Sequence, residues 1–161
     1  MKIGVISDTH IANKAEHIPR IILDVFKQMD MVMHAGDMVD LKVVDELRSA
    51  CPKVVAVAGN MDHDAVKKKY PVKQIIEVSG HKIGLMHGHG APLNLVGLLK
   101  DSFKDDKPDV VVFGHSHKPM NEFIEGVLFF NPGSATDFTA EYNSYGIIEI
   151  NGGVNARVIK I

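Results

Sequence analysis

A chain of 161 residues with 45% hydrophobic content and dispersed charges of both signs is long enough to bury one sizeable core and short for two, so one globular domain over 1–161 is expected. A formal charge of -2 and a pI near 6.5 give no general attraction to nucleic acid or anionic membrane, and the one dense basic run, Lys67, Lys68 and Lys69, reads as a solvated surface face. The lone Cys51 excludes an intramolecular disulfide, and MKIGVISDTH at the start is neither a signal peptide nor a membrane span, so a cytoplasmic location is expected.

In chain order, KIGVIS (2–7) reads as a strand, 18–29 as a helix, MVMHAG (31–36) as a strand, 41–50 as a helix and KVVAVAG (53–59) as a strand. This βαβαβ pattern implies a parallel sheet covered on both faces. KQIIEV (73–78) and KIGLMH (82–87) then flank Ser79, Gly80 and His81 as a hairpin. A helix over 93–104 and a buried strand DVVVFG (109–114) follow. The chain ends in short strands, NEFIEG, VLFFN, YGIIEI and NARVIKI, with turns at Gly126 and at Asn151, Gly152 and Gly153. The economical assembly is two sheets face to face with helices outside.

Each buried strand ends in a polar cluster: Asp8, Thr9 and His10; Gly36 and Asp37; Gly59, Asn60, Met61 and Asp62; His87, Gly88 and His89; Gly114, His115, Ser116 and His117. Ligands of open α/β sheets bind outside the carboxyl ends of strands, so these clusters point to one place. Imidazoles, carboxylates and an amide oxygen without thiolates suit Mn, Fe, Ni or Zn rather than a structural zinc site. In an extended segment, residues two apart point to the same side, which would aim Asp8 with His10, and His115 with His117, inward as pairs. Asp8, His10, Asp37, Asn60, His87, His115 and His117 make more ligands than one ion with an open position needs, and a carboxylate can bridge two ions about 4 Å apart. Asp37, alone in its cluster, is the candidate bridge.

The motifs DTH, GD, GN, HGH and GHSH, in this order across the whole chain, resemble the calcineurin-like metallophosphoesterase superfamily. The short length, SDTH near the start and NPGS at 131–134 are most similar to its small bacterial and archaeal phosphodiesterases, with the retromer subunit of the same fold as a more distant relative. The resemblance implies a four-layer αββα sandwich of two mixed sheets flanked by helices. It also implies a dinuclear centre: one ion on Asp8, His10 and His117, the other on Asn60, His87 and His115, Asp37 bridging, and a bridging hydroxide attacking phosphorus. Two divalent ions are expected, Mn first, with Ni, Fe and Zn as the other candidates.

A single histidine after a strand is more often a hydrogen-bonded residue than a ligand, and it is the set of five strand ends that argues for metal. His17 and His81 read as surface residues, His34 as a core histidine or a partner that orients a ligand, and 131–134 as a tight turn near the site. Many superfamily members carry histidine right after the asparagine ligand, where this chain has Met61, and a thioether cannot protonate a leaving group. Asp62, His63 and His89 are therefore the candidates for acid or phosphate contact, and the substrate expectation tilts from monoesters to small phosphodiesters. The competing readings are a protein-interaction scaffold that keeps the fold without the chemistry, and a nucleotide or nucleic-acid phosphoesterase. Complete ligand positions argue against the first, and three unclustered arginines, Arg20, Arg48 and Arg157, against a nucleic-acid partner. No membrane partner is expected. Loops 12–17, 91–95 and 136–143 are where specificity would reside, and apolar edge strands in the second half are compatible with a homodimer.

Overall fold

A computed structural model describes residues 1–13 and 15–161; Lys14, within the expected specificity loop 12–17, lies outside the described residues. The first half runs β1 (Lys2–Ile6), α1 (Arg20–Phe26), β2 (Met31–His34), α2 (Lys42–Ala50), β3 (Val54–Ala56) and α3 (Asp64–Lys69). The second half continues with β4 (Lys73–Val78), β5 (His81–Met86), a 3-10 turn at Pro92–Asn94, α4 (Leu95–Phe103), β6 (Val110–Val112), β7 (Met120–Ile124), β8 (Val127–Asn131), β9 (Ser144–Ile150) and β10 (Val154–Lys160).

The strands form two five-stranded sheets, ordered β10-β9-β1-β2-β3 and β4-β5-β6-β8-β7. In the first, β1, β2 and β3 are parallel, with Ile3 opposite Met31 and His34 opposite Ala56, as their βαβαβ pattern demands. β9 pairs antiparallel on the free side of β1, so the sheet is mixed. In the second, β5, β6 and β8 are parallel, and the edges β4 and β7 are antiparallel hairpin partners. Their turns are two residues long with both residues left-handed, Ser79 and Gly80 (φ 51 and 80) and Glu125 and Gly126 (φ 51 and 84), the geometry whose twist matches paired strands. His81 consequently belongs to β5 rather than to the turn.

Three apolar layers hold the assembly together. The inner faces of the sheets meet around Ile3, Met33, Leu85, Val112, Phe130 and Ile148. The outer face of the first sheet is covered by α1, α2 and α3 through Ile22, Phe26, Val44, Leu47 and Val66. α4 covers the second sheet, with Leu99 and Phe103 against Val111, Phe113 and Phe129. Helix, sheet, sheet and helix are the four layers expected.

Two helices depart from the sequence reading. α3 was not anticipated, because six residues that bury Val66 alone and end in Lys67, Lys68 and Lys69 show no apolar period. α1 covers only Arg20–Phe26 of the expected 18–29: Pro19 stands in extended geometry before it, and after Phe26 the N–H groups of Gln28 and Met29 bond only three residues back. Among the described residues no helix is long and apolar enough to cross a membrane.

Candidate metal centre

The chain leaves the sheet abruptly after β1, β2 and β6. Asp8 (φ 53), His10 (φ 44), Asp37 (φ 56), His115 (φ 69) and His117 (φ 56) all lie in the left-handed region, which costs a non-glycine residue about 1–2 kcal/mol. The expectation that Asp8 with His10, and His115 with His117, share a side because the segments are extended is therefore corrected. Alternating left-handed residues turn these side chains to one side, and the surrounding bonds hold them there. Asp8 N–H donates to Gly36 O (3.1 Å), His10 N–H to Asp37 O (3.0 Å) and Ser134 Oγ–H to Asp8 O (2.8 Å).

Gly114 is required by a close approach of two segments. A Cβ at this position would overlap Ser7 Oγ and come within 2.7 Å of Asp8 Oδ2, so only glycine lets the 114–117 loop lie against the end of β1. From there His115 N–H reaches both Asp8 oxygens at 3.2 Å.

The result is a set of facing acid and imidazole groups. Asp8, His10 and His117 form one group whose ligand atoms lie within 4.8 Å of one another, and Asp8, Asp37 and His87 form a second. Asp8 is common to both. Asp37 also lies between them, its Oδ2 3.1 Å from His87 Nε2 and 3.9 Å from His10 Nε2. Asn60 and His115 sit on the rim, joined to each other through Oδ1 and Nδ1 at 3.0 Å, with the His115 ring 5.3 Å from that of His87 and its Nε2 2.8 Å from Gly90 O. All seven residues singled out in the sequence are thus brought to one end of the sandwich, five in the two tight groups and two beside them.

Surrounding residues determine which atoms point inward. His87 donates Nδ1–H to Ala35 O at 2.7 Å, so its lone pair is on Nε2. Among the described residues that buried Nε2 has no hydrogen-bond partner, because Asp37 is near enough but out of line. A buried nitrogen left unpaired between two carboxylates is what a cation would complete, and the oxygen and imidazole donor set fits a borderline divalent ion. His117 is likewise held by Nδ1, 2.6 Å from Asp137 Oδ2, with Nε2 toward Asp8 Oδ1 (3.3 Å) and His10 Nε2 (3.1 Å).

The local charge is strongly anionic, and the imidazoles register it. Asp8, against the opposing effect of burial and with help from Asp137, pushes His117 up to about 9, while His117 and then Thr139 hold Asp137 down to about 2. Burial disfavours charge on His87, but Asp37 and Asp8 outweigh it and raise its pKa. Burial would likewise raise Asp37, yet His87 and the Met61 N–H, which donates to Oδ1 at 2.7 Å, leave it lowered.

The remaining candidates are placed less centrally. Asp62 is 3% exposed and accepts N–H groups from Val39 (2.6 Å), Gly59 (2.7 Å) and Asp37 (3.2 Å), which makes it a brace between the β2 and β3 loops and leaves it no face toward substrate. His63 precedes α3 and is exposed, as is His89, which lies between left-handed Gly88 and Gly90. Met61 is 58% exposed at the rim. His34 is fully buried, donating to Thr9 Oγ1 (3.1 Å) and accepting from Gly36 N–H (3.1 Å); burial pushes it down to about 4 against the pull of Asp62 and Asp8, so it is a neutral support for the loop that carries Asp37. Asn131 bonds Gly114 O and Gly133 N–H, so the turn at 131–134 props the histidine loop. His17 and His81 lie outside both groups, beside Glu46 and Asp109 respectively. Asp137 was missed in the sequence. An aspartate two residues before a threonine marks a local turn, but nothing local says that it faces a histidine 20 residues earlier.

Known proteins resemble the chain in sequence and in fold. The family profile described as calcineurin-like phosphoesterase superfamily domain matches residues 1–153. Two Methanocaldococcus jannaschii proteins align over nearly the whole chain. One, named "Probable metallophosphoesterase MJ0623", is 36% identical, covering 100% of this chain and 82% of that protein. The other, named "Phosphodiesterase MJ0936", is 30% identical, covering 92% of this chain and 93% of that protein. A crystal structure of Vps29 from Entamoeba histolytica complexed with zinc superposes with a TM-score of 0.79 at 26% identity, covering 99% of each chain.

Proposed function

The chain belongs to the calcineurin-like phosphoesterase superfamily, and from that premise we propose that it is a metal-dependent phosphodiesterase that hydrolyses small phosphodiesters at a centre holding two divalent ions. The observation that carries the reading is the pair of carboxylate and histidine groups sharing Asp8, into which His87 presents a buried, unpaired Nε2. Asp8, His10 and His117 would hold one ion, and Asn60, His87 and His115 the other, with Asp37 shared between them. Manganese is the first candidate. Bound divalent ions supply Lewis acidity, activating water near neutral pH and taking up charge on phosphate oxygens.

The chain's own residues supply position and orientation. Ala35 O and Asp137 fix the tautomers of His87 and His117 so that each offers Nε2. Met61 N–H holds one oxygen of Asp37 and leaves the other facing His87 and His10. Asp62 joins the loops that carry Asp37 and Asn60, so the two sides of the centre keep their spacing. No protonated side chain is poised at the Met61 position, which favours diesters with leaving groups that depart without strong acid assistance. His63 and His89, both exposed, are the remaining imidazoles available for contact with the phosphate.

The test is hydrolysis by metal-stripped protein, with Mn, Ni, Zn and Fe restored in turn, of an aryl phosphodiester beside the matching monoester. Diester turnover that depends on restored metal and exceeds monoester turnover is expected. Absence of turnover of either ester with all four metals would sink the reading and favour a scaffold role.

A further inference from the structure

Loop 136–143 runs past His117 with a clefted surface on either side, one of about 510 Å³ lined by His117, Lys118, Asp137, Thr139 and Tyr142, the other of about 460 Å³ lined by His10, Ile11, His17, Asp137 and Phe138. Asp137 stands between them with its carboxylate divided between two tasks. Oδ1 accepts both the N–H (2.8 Å) and the Oγ–H (2.7 Å) of Thr139, while Oδ2 is 2.6 Å from His117 Nδ1. The loop itself is anchored: Asp137 N–H donates to Ser134 Oγ (3.0 Å) and Thr136 Oγ1–H to Thr9 O (2.5 Å), the residue between Asp8 and His10. Thus the same loop that aims the carboxylate also holds the segment bearing two neighbouring donors of the Asp8, His10 and His117 group.

We infer that Asp137 is a positioning residue for one ion of the pair: it fixes His117 with the proton on Nδ1 and the lone pair on Nε2, and so sets the affinity of the Asp8, His10 and His117 group more strongly than that of the other, which it reaches only through the shared Asp8. This rests on the two-ion reading. The carboxylate makes the imidazole a better donor and limits rotation of its ring, and loss of such a partner costs about 10- to 100-fold in metal affinity. Among the described residues no hydrogen bond joins Asp137 directly to His87 or Asn60, whose partners are Ala35 and His115.

The experiment is calorimetric titration of the metal-stripped full chain with zinc, for wild type, Asp137→Ala and Asp137→Asn, accompanied by imidazole nitrogen NMR of the zinc-loaded proteins. The wild type is expected to take up two ions, and Asp137→Ala to weaken one step by about 10- to 100-fold while leaving the other within about threefold. Asp137→Asn, which keeps an acceptor oxygen, is expected to fall between. The wild-type His117 signal should show a proton on Nδ1 that becomes exchange-broadened in the alanine variant. Unchanged affinities in Asp137→Ala, or equal weakening of both steps together with a lowered melting temperature, overturn the inference, the second because it marks a general structural role. Uptake of one ion by the wild type defeats the two-ion reading instead, and the inference then stands or falls on whether Asp137→Ala weakens that ion. No uptake defeats both.

Discussion

Replacing Asp62 by alanine separates two roles that its place beside Asn60 and Met61 leaves open from sequence. The carboxylate is 3% exposed and receives three backbone N–H groups, from Val39 at 2.6 Å, Gly59 at 2.7 Å and Asp37 at 3.2 Å. Hydrogen bonds to a charged acceptor are worth about 1.5–3 kcal/mol each, and a buried donor left unsatisfied costs about 1–3 kcal/mol. Three at once, reduced by relaxation and entry of water, give about 3–5 kcal/mol for Asp62→Ala. For a chain of this size that is a fall in melting temperature of roughly 10 °C. Thermal unfolding followed by circular dichroism on the metal-stripped protein measures it, beside the diesterase rate of the metal-loaded one. Asp62→Asn keeps one acceptor oxygen and should lose about half as much stability. The refuting result is an alanine variant that melts within about 2 °C of wild type yet loses two orders of magnitude in kcat, because that pattern belongs to a proton donor and not to a brace.

Other expectations follow from the same geometry. Asp37→Asn keeps an acceptor for the Met61 N–H but removes the charge facing His87 and His10, so hydrolysis should vanish while the melting temperature stays near wild type; retained activity would contradict the assignment of Asp37 to the centre. Phe103→Ala empties a site 2% exposed in the α4 layer and should cost about 3–5 kcal/mol by denaturant titration. For pH, burial pushes His34 from 6.5 down to about 4, so the unfolded chain binds a proton that the folded chain refuses between those values. The contribution of His34 is therefore complete above pH 6.5 and lost as pH falls through that window, by roughly 3 kcal/mol in all. Its imidazole resonance should remain that of the neutral form at pH 6, and a midpoint at or above 6 would contradict its burial.

The ends of the parallel strands were legible in the sequence because a buried strand reads as an unbroken apolar run, and a change to Asp, His, Asn and Gly at its end is conspicuous against it. The hairpin turns were legible from their glycines, although the first is one residue shorter than expected because His81 pairs in β5. The manner in which Asp8, His10, His115 and His117 converge was not, since it depends on left-handed backbone held by bonds from Gly36, Asp37 and Ser134, residues remote in the chain. For the same reason Asp62 resembled a chemical group: its neighbours in sequence are Met61 and His63, but its partners are N–H groups of Asp37, Val39 and Gly59 that only the assembled loops present. α3 escaped because one valine is too few to make a pattern.

The position of β9 bears on how the chain is made. β1 is completed by strands from opposite ends of the sequence: β2 pairs on one side with residues 31–34, and β9 on the other with residues as late as Glu149. During vectorial synthesis β1 therefore keeps an open, apolar edge until residues 144–150 have followed, and that edge is the natural place for another nascent chain to pair. Chains halted before residue 144 should accumulate as aggregates or be held by chaperones, whereas a chain that includes β9 covers the edge of β1 and folds by a route dominated by distant contacts, slowly for its size.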